Sequence, residues 1–289
     1  MYKIVGKRAL APQIFLMDIE APRVAKSAKP GQFIIIKMDE KGERIPLTIS
    51  NYDASRGTVT IVVQTIGCST KEMENYEIGD SFLDFVGPLG QASELMSESI
   101  EDLKKKKIVF VAGGLGTAPV YPQVKWLSEQ GVKADVIIGA KAKEYVIMEE
   151  EMKEVAGNVY PCTDDGSYGY KGLVTNKLKE LVQNDGIKYD LVVAIGPMIM
   201  MKFVCKLTEE LGISTIVSMN PIMVDGTGMC GACRLTVDGV TKFACVDGPE
   251  FDGHKVNFDE AMRRQTMYKK QESSKDEGIK AGCGLGGTK

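Results

Sequence analysis

The sequence predicts three units in series: an antiparallel β-barrel over residues 1–97, a doubly wound parallel-sheet α/β domain over 104–218, and a small cysteine-bearing module over 219–257, with a C-terminal helix and tail over 258–289. Three observations predict this. The first third of the chain is a succession of short β-rich runs broken by Gly, Pro and Asp. The middle third alternates continuous apolar strands with helical segments, the pattern of a parallel sheet covered on both faces. The last third gathers three cysteines and an aspartate at short spacing among glycines.

In the first unit the strand candidates are KIVGKRAL, IFLMDIEA, QFIIIKM, PLTISNY, GTVTIVVQTIG and DSFLDFVGPLG, with a turn signal at Gly79-Asp80. Their number and length fit a small antiparallel barrel. ESIEDLKKKK, residues 98–107, reads as a solvated linker or helix end. Next come KIVFVAG as a strand and PVYPQVKWLSEQG as a helix, then KADVIIGA and VIMEEEMKEVAG in the same order. NVYPCTDDG reads as strand and loop, LVTNKLKELVQNDG as a helix, YDLVVAIGP as a strand, MIMMKFVCKLTEELG as a helix and STIVSM as a strand. RLTVDGVTKFACV reads as a hairpin turning at Asp238-Gly239. FDEAMRRQTMYKKQE, residues 258–272, reads as one amphipathic helix, and the rest as a mobile tail holding Cys283, an incidental thiol.

Composition narrows the function classes. The 289 residues are 44% hydrophobic and 26% charged, ordinary for a globular protein, and suffice for two domains and a small module. A net charge of −3 argues against a nucleic-acid binder. No apolar run approaches the ~18 residues of a membrane span. MYKIVGKRAL has no apolar core of a signal peptide, and seven cysteines do not suggest a disulfide framework, so the cytoplasm is the expected compartment.

The sharpest signal is DGTGMCGACRLTVDGVTKFAC, in which Asp225, Cys230, Cys233 and Cys245 follow the spacing acid-x4-Cys-x2-Cys-x11-Cys. Three thiolates and a further anion suit a [2Fe–2S] cluster, whose two irons each take two protein ligands. Gly226, Gly228 and Gly231 permit the turns and the backbone approach that wrapping a cluster needs. A zinc knuckle usually has a second Cys/His pair, and a redox dithiol should open a helix; neither context is present, and the single histidine is His254. Asp225 also reads as a plain turn residue before Gly226.

Other motifs are weaker alone. VFVAGGLGTAPV sets Gly113, Gly114 and Gly116 between a strand and a helix, where backbone N–H groups meet a pyrophosphate. Pro119 stands where a third glycine is usual, and Ala140-Lys141 stands where an acid usually ends the next strand. RIPLTIS, residues 44–50, offers Arg44 for a phosphate and Thr48 for a flavin or ribose edge. TIGCSTKEM, residues 65–73, reads as a loop capping a short helix; GPLG, residues 87–90, reads as a turn.

Taken in order, RxPLTIS, GxSTxxM, GPLG, VFVAGGLGTAPV, TDDGSYGYKGLVT, AIGPMIMMK, DGTGMCGACR and FACVDGP resemble the ferredoxin–NADP reductase superfamily over nearly the whole chain. Within it the chain is similar to the branch holding the electron-transfer subunit of dihydroorotate dehydrogenase B. The resemblance implies a barrel that binds FAD, an α/β domain that binds NAD(H) or NADP(H), and a [2Fe–2S] module. It implies flavin contacts from Arg44, Pro46, Leu47, Thr48, Val62, Val63, Gln64, Gly67, Ser69 and Thr70, with Cys68 uncertain. It implies nucleotide contacts from Gly113, Gly114, Gly116, Thr117, Ala118, Pro119, Asp164, Asp165, Gly196, Pro197 and Met198, and cluster ligation by Asp225, Cys230, Cys233 and Cys245.

One departure is informative. Dihydroorotate subunits carry cysteine as the first cluster ligand, and Asp225 instead resembles the small subunit of NADH-dependent ferredoxin:NADP oxidoreductases, also described as sulfide dehydrogenases. That resemblance implies a heterodimer with a larger FAD and [4Fe–4S] subunit, contact with ferredoxin through the complex, and flavin-based electron bifurcation. The alternatives are the electron-transfer subunit of a dihydroorotate dehydrogenase and a non-enzymatic electron carrier. Hydride chemistry between nicotinamide and flavin is cofactor-borne, and no catalytic side chain is nominated. Lys141 and Lys143 favour a 2′-phosphate while Asp164 and Asp165 oppose it; the resemblance favours NAD(H).

Overall fold

The computed structural model describes residues 1–268; Cys283 and the expected tail lie outside the described residues. The N-terminal barrel is built from β1 (Tyr2–Ala11), β2 (Ile14–Glu20), β3 (Phe33–Lys37), β4 (Arg44–Asp53), β5 (Thr58–Gln64), β6 (Ser81–Phe82) and β7 (Asp84–Leu89), all pairing antiparallel. Their order is β6-β1-β2-β5-β4-β3-β7. The two edges of that order are separated in sequence by Leu83 alone, so one bent strand joins both ends and the sheet curls into a barrel.

Alternation fills the barrel. Phe15, Met17 and Ile19 of β2, Ile34 and Ile36 of β3, and Val59, Ile61 and Val63 of β5 share one core. The other face is buried too, in two places. Phe33 and Ile35 join the core of the C-terminal part of the chain, and Ile14, Leu16 and Val62 pack with Ala118, Ile147 and Met148. That double burial explains the unbroken FIII run of β3. Two helices interrupt the barrel: α1 (Pro22–Ser27), which the sequence reading did not separate from its Pro-flanked loop, and α2 (Cys68–Glu74). GPLG ends β7 rather than forming a free turn.

The α/β domain follows α3 (Ile100–Leu103). Its elements are β8 (Ile108–Gly113), α4 (Thr117–Glu129), β9 (Asp135–Ala140), α5 (Glu149–Val155), β10 (Val159–Thr163), β11 (Tyr170–Lys171), α6 (Val174–Gln183), β12 (Leu191–Ile195), α7 (Met198–Leu211) and β13 (Ser214–Ser218). The sheet order is β11-β10-β9-β8-β12-β13, all parallel. Ile108, Phe110, Val136 and Val193 pack beneath α4 and α5, while Val109, Val111, Ile137 and Val192 pack beneath α6 and α7. The chain leaves β8 in one direction and returns to β12 on its other side. That reversal opens a crevice at the strands' C-terminal ends.

The last unit is a hairpin of β14 (Arg234–Val237) and β15 (Val240–Phe243), then α8 (Ala244–Asp247), β16 (Glu250–Asp252) and α9 (Phe258–Gln265). Asp238 and Gly239 both have positive φ, 51° and 73°, as a type I′ turn requires. β16 adds antiparallel to β13, so the chain returns to the α/β sheet after the hairpin. α9 is shorter than the 258–272 expected: Thr266–Tyr268 form a turn, and 269–272 lie outside the described residues.

Pro122 inside α4 ties two domains together. Without an N–H it leaves the carbonyl of Ala118 without its helical partner. The buried Ser50 of β4 supplies a substitute, its hydroxyl donating to that carbonyl at 3.1 Å. Ser50→Ala is expected to cost about 1–3 kcal/mol by stranding a buried carbonyl. Denaturant unfolding of the two proteins measures it, and an unchanged midpoint would dismiss the bond.

Candidate functional site

Three neighbouring sites follow from this architecture. The first is the crevice between β8 and β12, a cavity of about 650 Å³ lined by Gly113, Gly114, Asp164 and Pro197 among the residues expected. Gly114 has φ +54° and open space where a side chain would stand, so its backbone is bare to a ligand. Gly116 is needed for the opposite reason: a Cβ there would lie 2.1 Å from the Ile195 carbonyl oxygen. Pro119 falls in the first turn of α4, where a missing N–H is harmless, which accounts for its presence in place of glycine.

Several expected nucleotide residues have their side chains engaged elsewhere. The Thr117 hydroxyl donates to the Gly114 carbonyl at 3.0 Å, Met198 is buried in the core, and Ala118 packs against the barrel. Asp165 closes a turn by accepting from Ser167, and those bonds hold its carboxyl below the usual range. Gly196 lies beside Gly113 at the strand ends. Lys141 lines the cavity, whereas Lys143 sits over the Tyr168 ring, 5.3 Å from its centre. Leu173, Lys179, Ile199, Phe203 and Lys206 also line it and were not anticipated. The available signal was Ile199 and Phe203: an i, i+4 apolar pair about half exposed on a helix whose other face is already buried.

The second site is the face of β4 and the β5–α2 loop. Arg44, Pro46, Leu47 and Thr48 follow one another along β4, opposite Lys37, Ile35, Ile34 and Phe33 of β3. Gln64 ends β5 and faces Ile14. Val63 points into the barrel core and Val62 into the packing against Ala118, leaving only their backbones for a ligand. The Thr70 hydroxyl accepts from the N–H groups of Ile66 and Gly67, shaping the turn into α2, and Ser69 donates to Glu43 at 2.9 Å. Cys68 begins α2 and is half-buried. Arg44 was expected on a phosphate. Here it donates to the carbonyls of Val224 and Asp225, both at 3.2 Å, and so joins the flavin-candidate strand to the cysteine loop.

The third site is that loop. Gly226 packs against Ile35 and Leu89 of the barrel. Cys233 and Cys245 are buried with their sulfurs 3.2 Å apart, well beyond a disulfide, and the Cys245 N–H points at the Cys233 sulfur at 3.5 Å. Burial and the neighbouring Cys233 push the Cys245 thiol up to about 12. Cys230 is exposed, and backbone N–H groups led by that of Ala232 hold its thiol below the ordinary value. Asp225 uses Oδ2 to accept from the Thr227 hydroxyl and from the N–H groups of Thr227 and Met229, and its carboxyl is held below the usual range, chiefly by that hydroxyl. Its Oδ1 takes no part in these bonds.

The residues therefore form two pairs: Cys233 with Cys245 inside, and Cys230 with the Asp225 segment outside. Among the described residues no three His, Cys, Asp or Glu side chains are grouped to hold a single ion. His254 is engaged with the Thr208 hydroxyl at 3.0 Å. Paired thiols under converging N–H groups suit a two-iron cluster better than one tetrahedral metal. Among the described residues no helix is long and apolar enough to cross a membrane.

Two regions of the chain match known families. Residues 220–257 match the iron–sulfur cluster binding domain of dihydroorotate dehydrogenase B, and residues 110–206 match the oxidoreductase NAD-binding domain. A Clostridium beijerinckii protein, described only as an uncharacterized protein of the adh 3′ region, is 62% identical over 100% of both chains. A Thermotoga maritima homologue of the dihydroorotate dehydrogenase B (NAD(+)) electron transfer subunit is 46% identical over 93% of this chain and 92% of its own. A chain from the solved NADH-dependent reduced ferredoxin-NADP oxidoreductase, described in terms of flavin-based electron bifurcation, is 43% identical, with a TM-score of 0.88 over 96% of this chain and 98% of that one.

Proposed function

Because this chain belongs to the family of dihydroorotate dehydrogenase B electron-transfer subunits and their homologues, we propose that it moves electrons between NAD(H), FAD and a [2Fe–2S] cluster as the small subunit of a bifurcating NADH-dependent ferredoxin:NADP oxidoreductase. The observation that carries the finer reading is the end-to-end match to a chain of that oxidoreductase. Asp225 at the first ligand position supports it. The proposed partner is a larger FAD and [4Fe–4S] subunit, through which ferredoxin exchanges electrons.

The residues fit the groups this function needs. Gly114 opens the start of α4 to a pyrophosphate, and the crevice beside it offers apolar walls at Ile199 and Phe203 for the rest of the nucleotide. The β4 face and the turn held by Thr70 would seat FAD, which when bound converts hydride chemistry into one-electron chemistry. Arg44 fixes the cysteine loop to the β4 edge of that seat, and Asp225, Cys230, Cys233 and Cys245 would hold the cluster.

The nucleotide is NAD(H) in this reading, by likeness to the NADH-dependent oxidoreductase chain; in the cavity Asp164 would oppose a 2′-phosphate while Lys141 would favour it. Asp164→Ser is expected to narrow the NADH-over-NADPH preference about five- to tenfold, the scale of one charge pair in a wet site. Dye reduction with both nucleotides reads it; an unchanged ratio would remove Asp164 from specificity. The test of the whole reading is an anaerobic spectrum of the purified chain with flavin, iron and sulfide counted. About one FAD and two irons, bleached by NADH, are expected. Flavin without iron after reconstitution would reduce the protein to a simple reductase.

A further inference from the structure

Outside these sites, among the described residues, one buried carboxyl group has no cation beside it. Glu250 of β16 is 5% exposed and sits where three parts of the molecule meet: the strand that follows the Cys245 segment, the linker after the barrel at Ser93 and Glu94, and helix α4 at Gln123. Nearby backbone bonds run the same way. Gln91 N–H donates to the Gly248 carbonyl at 2.6 Å, the Gln91 side chain to Val246 at 2.8 Å, and Met219 N–H to Pro249 at 2.9 Å. The stretch just after Cys245 is thus fastened to the linker and the sheet, with Glu250 at its buried end.

Three contacts close a ring. Ser93 Oγ lies 2.9 Å from Glu250 Oε2 and 3.0 Å from Gln123 Oε1, and Gln123 Nε2 lies 2.8 Å from Glu250 Oε1. Each contact needs one proton between its heavy atoms. Ser93 has one to give. Gln123 shows the ring one nitrogen and one oxygen, so it gives one whichever way its amide is turned. An ionised carboxylate gives none, and one oxygen–oxygen contact is then left bare in a buried place. A carboxylic acid supplies the missing proton. The Glu94 N–H donates to Oε2 at 3.0 Å from outside the ring and leaves the count unchanged.

We propose that Glu250 is carried as a neutral carboxylic acid, and that its proton is the latch positioning the Cys245-bearing segment against the barrel linker and α4. The charges around it agree. The linker contributes Glu94, which opposes ionisation; α4 contributes the neutral Gln123; the loop at Gly31 contributes backbone; and β16 contributes Asp252, which faces Glu94. Burial outweighs the hydrogen bonds from Glu94, Ser93 and Gln123, which favour the ionised form, and pushes the carboxyl above its ordinary 4.5.

The sign of the pH dependence follows. Above pH 4.5 the unfolded chain loses this proton while the folded chain keeps it, so stability falls as pH rises until the folded group itself ionises. Glu250→Gln brings its own N–H, closes the same ring and cannot ionise. Denaturant unfolding of the cofactor-loaded protein across this range should show wild type losing ground to Glu250→Gln by tenfold in the unfolding constant per pH unit, 1.36 kcal/mol. Parallel profiles would overturn the proposal. Should that variant not fold, infrared spectra of wild type labelled with carbon-13 glutamate decide the matter. A protonated-carboxyl band at pH 7 that is lost in Ser93→Ala, where the ring is opened, is expected; a fully ionised spectrum at pH 7 refutes the latch. Neither readout depends on which cofactors bind, so failure here leaves the functional reading standing, and the reverse.

Discussion

Gly116→Ala is expected to cost the nucleotide domain at least about 3 kcal/mol and to leave little folded protein at ambient temperature. The new Cβ would stand 2.1 Å from the Ile195 carbonyl oxygen, 2.7 Å from its carbon and 3.0 Å from Gly196 Cα. All three are backbone atoms, so no rotamer change relieves the contact. Relief requires prising the start of α4 from the end of β12, and Ala112 with Ile195 is the last register pair joining β8 to that strand. Gly114→Ala is the instructive contrast. Nothing lies within 4 Å of its Cβ, and only the φ of +54° opposes it, at about 1–2 kcal/mol. That variant should fold yet lose affinity for NADH, because in the proposed site the methyl group would stand where the pyrophosphate approaches. Unfolding midpoints and NADH titration separate the two effects. A Gly116→Ala protein as stable as wild type would mean that α4 and β12 are not packed as described.

Much of this was legible in the sequence, for physical reasons that differ by element. The parallel strands announced themselves because burial on both faces forces unbroken apolar runs, as in IVFVAG and LVVAI. The hairpin was legible because few residues other than Asp-Gly accept two successive positive φ values. The iron–sulfur module, matched over residues 220–257, was legible because cluster chemistry fixes residue type and spacing together. Less visible was what depends on distant parts meeting. Arg44 reads as a phosphate ligand from its motif, and only the folded chain shows that two of its N–H groups also hold the carbonyls of Val224 and Asp225. Thr117 and Met198 belong to nucleotide motifs, yet helix geometry turns one hydroxyl back to Gly114 and buries the other side chain. Ser50 carries no local signal at all; its role exists because Pro122, 72 positions on, leaves a carbonyl without a partner. Local propensity and pattern encode elements, whereas such partnerships are properties of the assembled molecule.

The cysteine loop gives the other large expected effect. Cys233→Ser should abolish iron binding and the associated electron paramagnetic signal while leaving FAD in place. Cys233 is buried, its sulfur lies 3.2 Å from that of Cys245, and it receives the Cys245 N–H. It is therefore half of the inner pair, and a serine hydroxyl there is a far poorer iron ligand than a thiolate. The flavin candidates sit on β4, at the end of β5 and at the start of α2, outside that pair, so iron and flavin should part company. Asp225→Ser should act more gently. Asp225 lies on the outer side of the loop and already uses one oxygen to hold Thr227 and Met229, so its loss changes ligand charge and loop shape rather than removing a buried thiolate. The expected result is a cluster that still forms, with an altered midpoint potential and signal. Cys162→Ser and Cys205→Ser are the controls, because burial pushes both thiols up to about 12 and keeps them as inert packing. Full iron content in Cys233→Ser would remove that residue from the ligand set. An unchanged potential and signal in Asp225→Ser would return the first ligand position to a turn residue, and with it the residue-level argument that separates this chain from the dihydroorotate subunits.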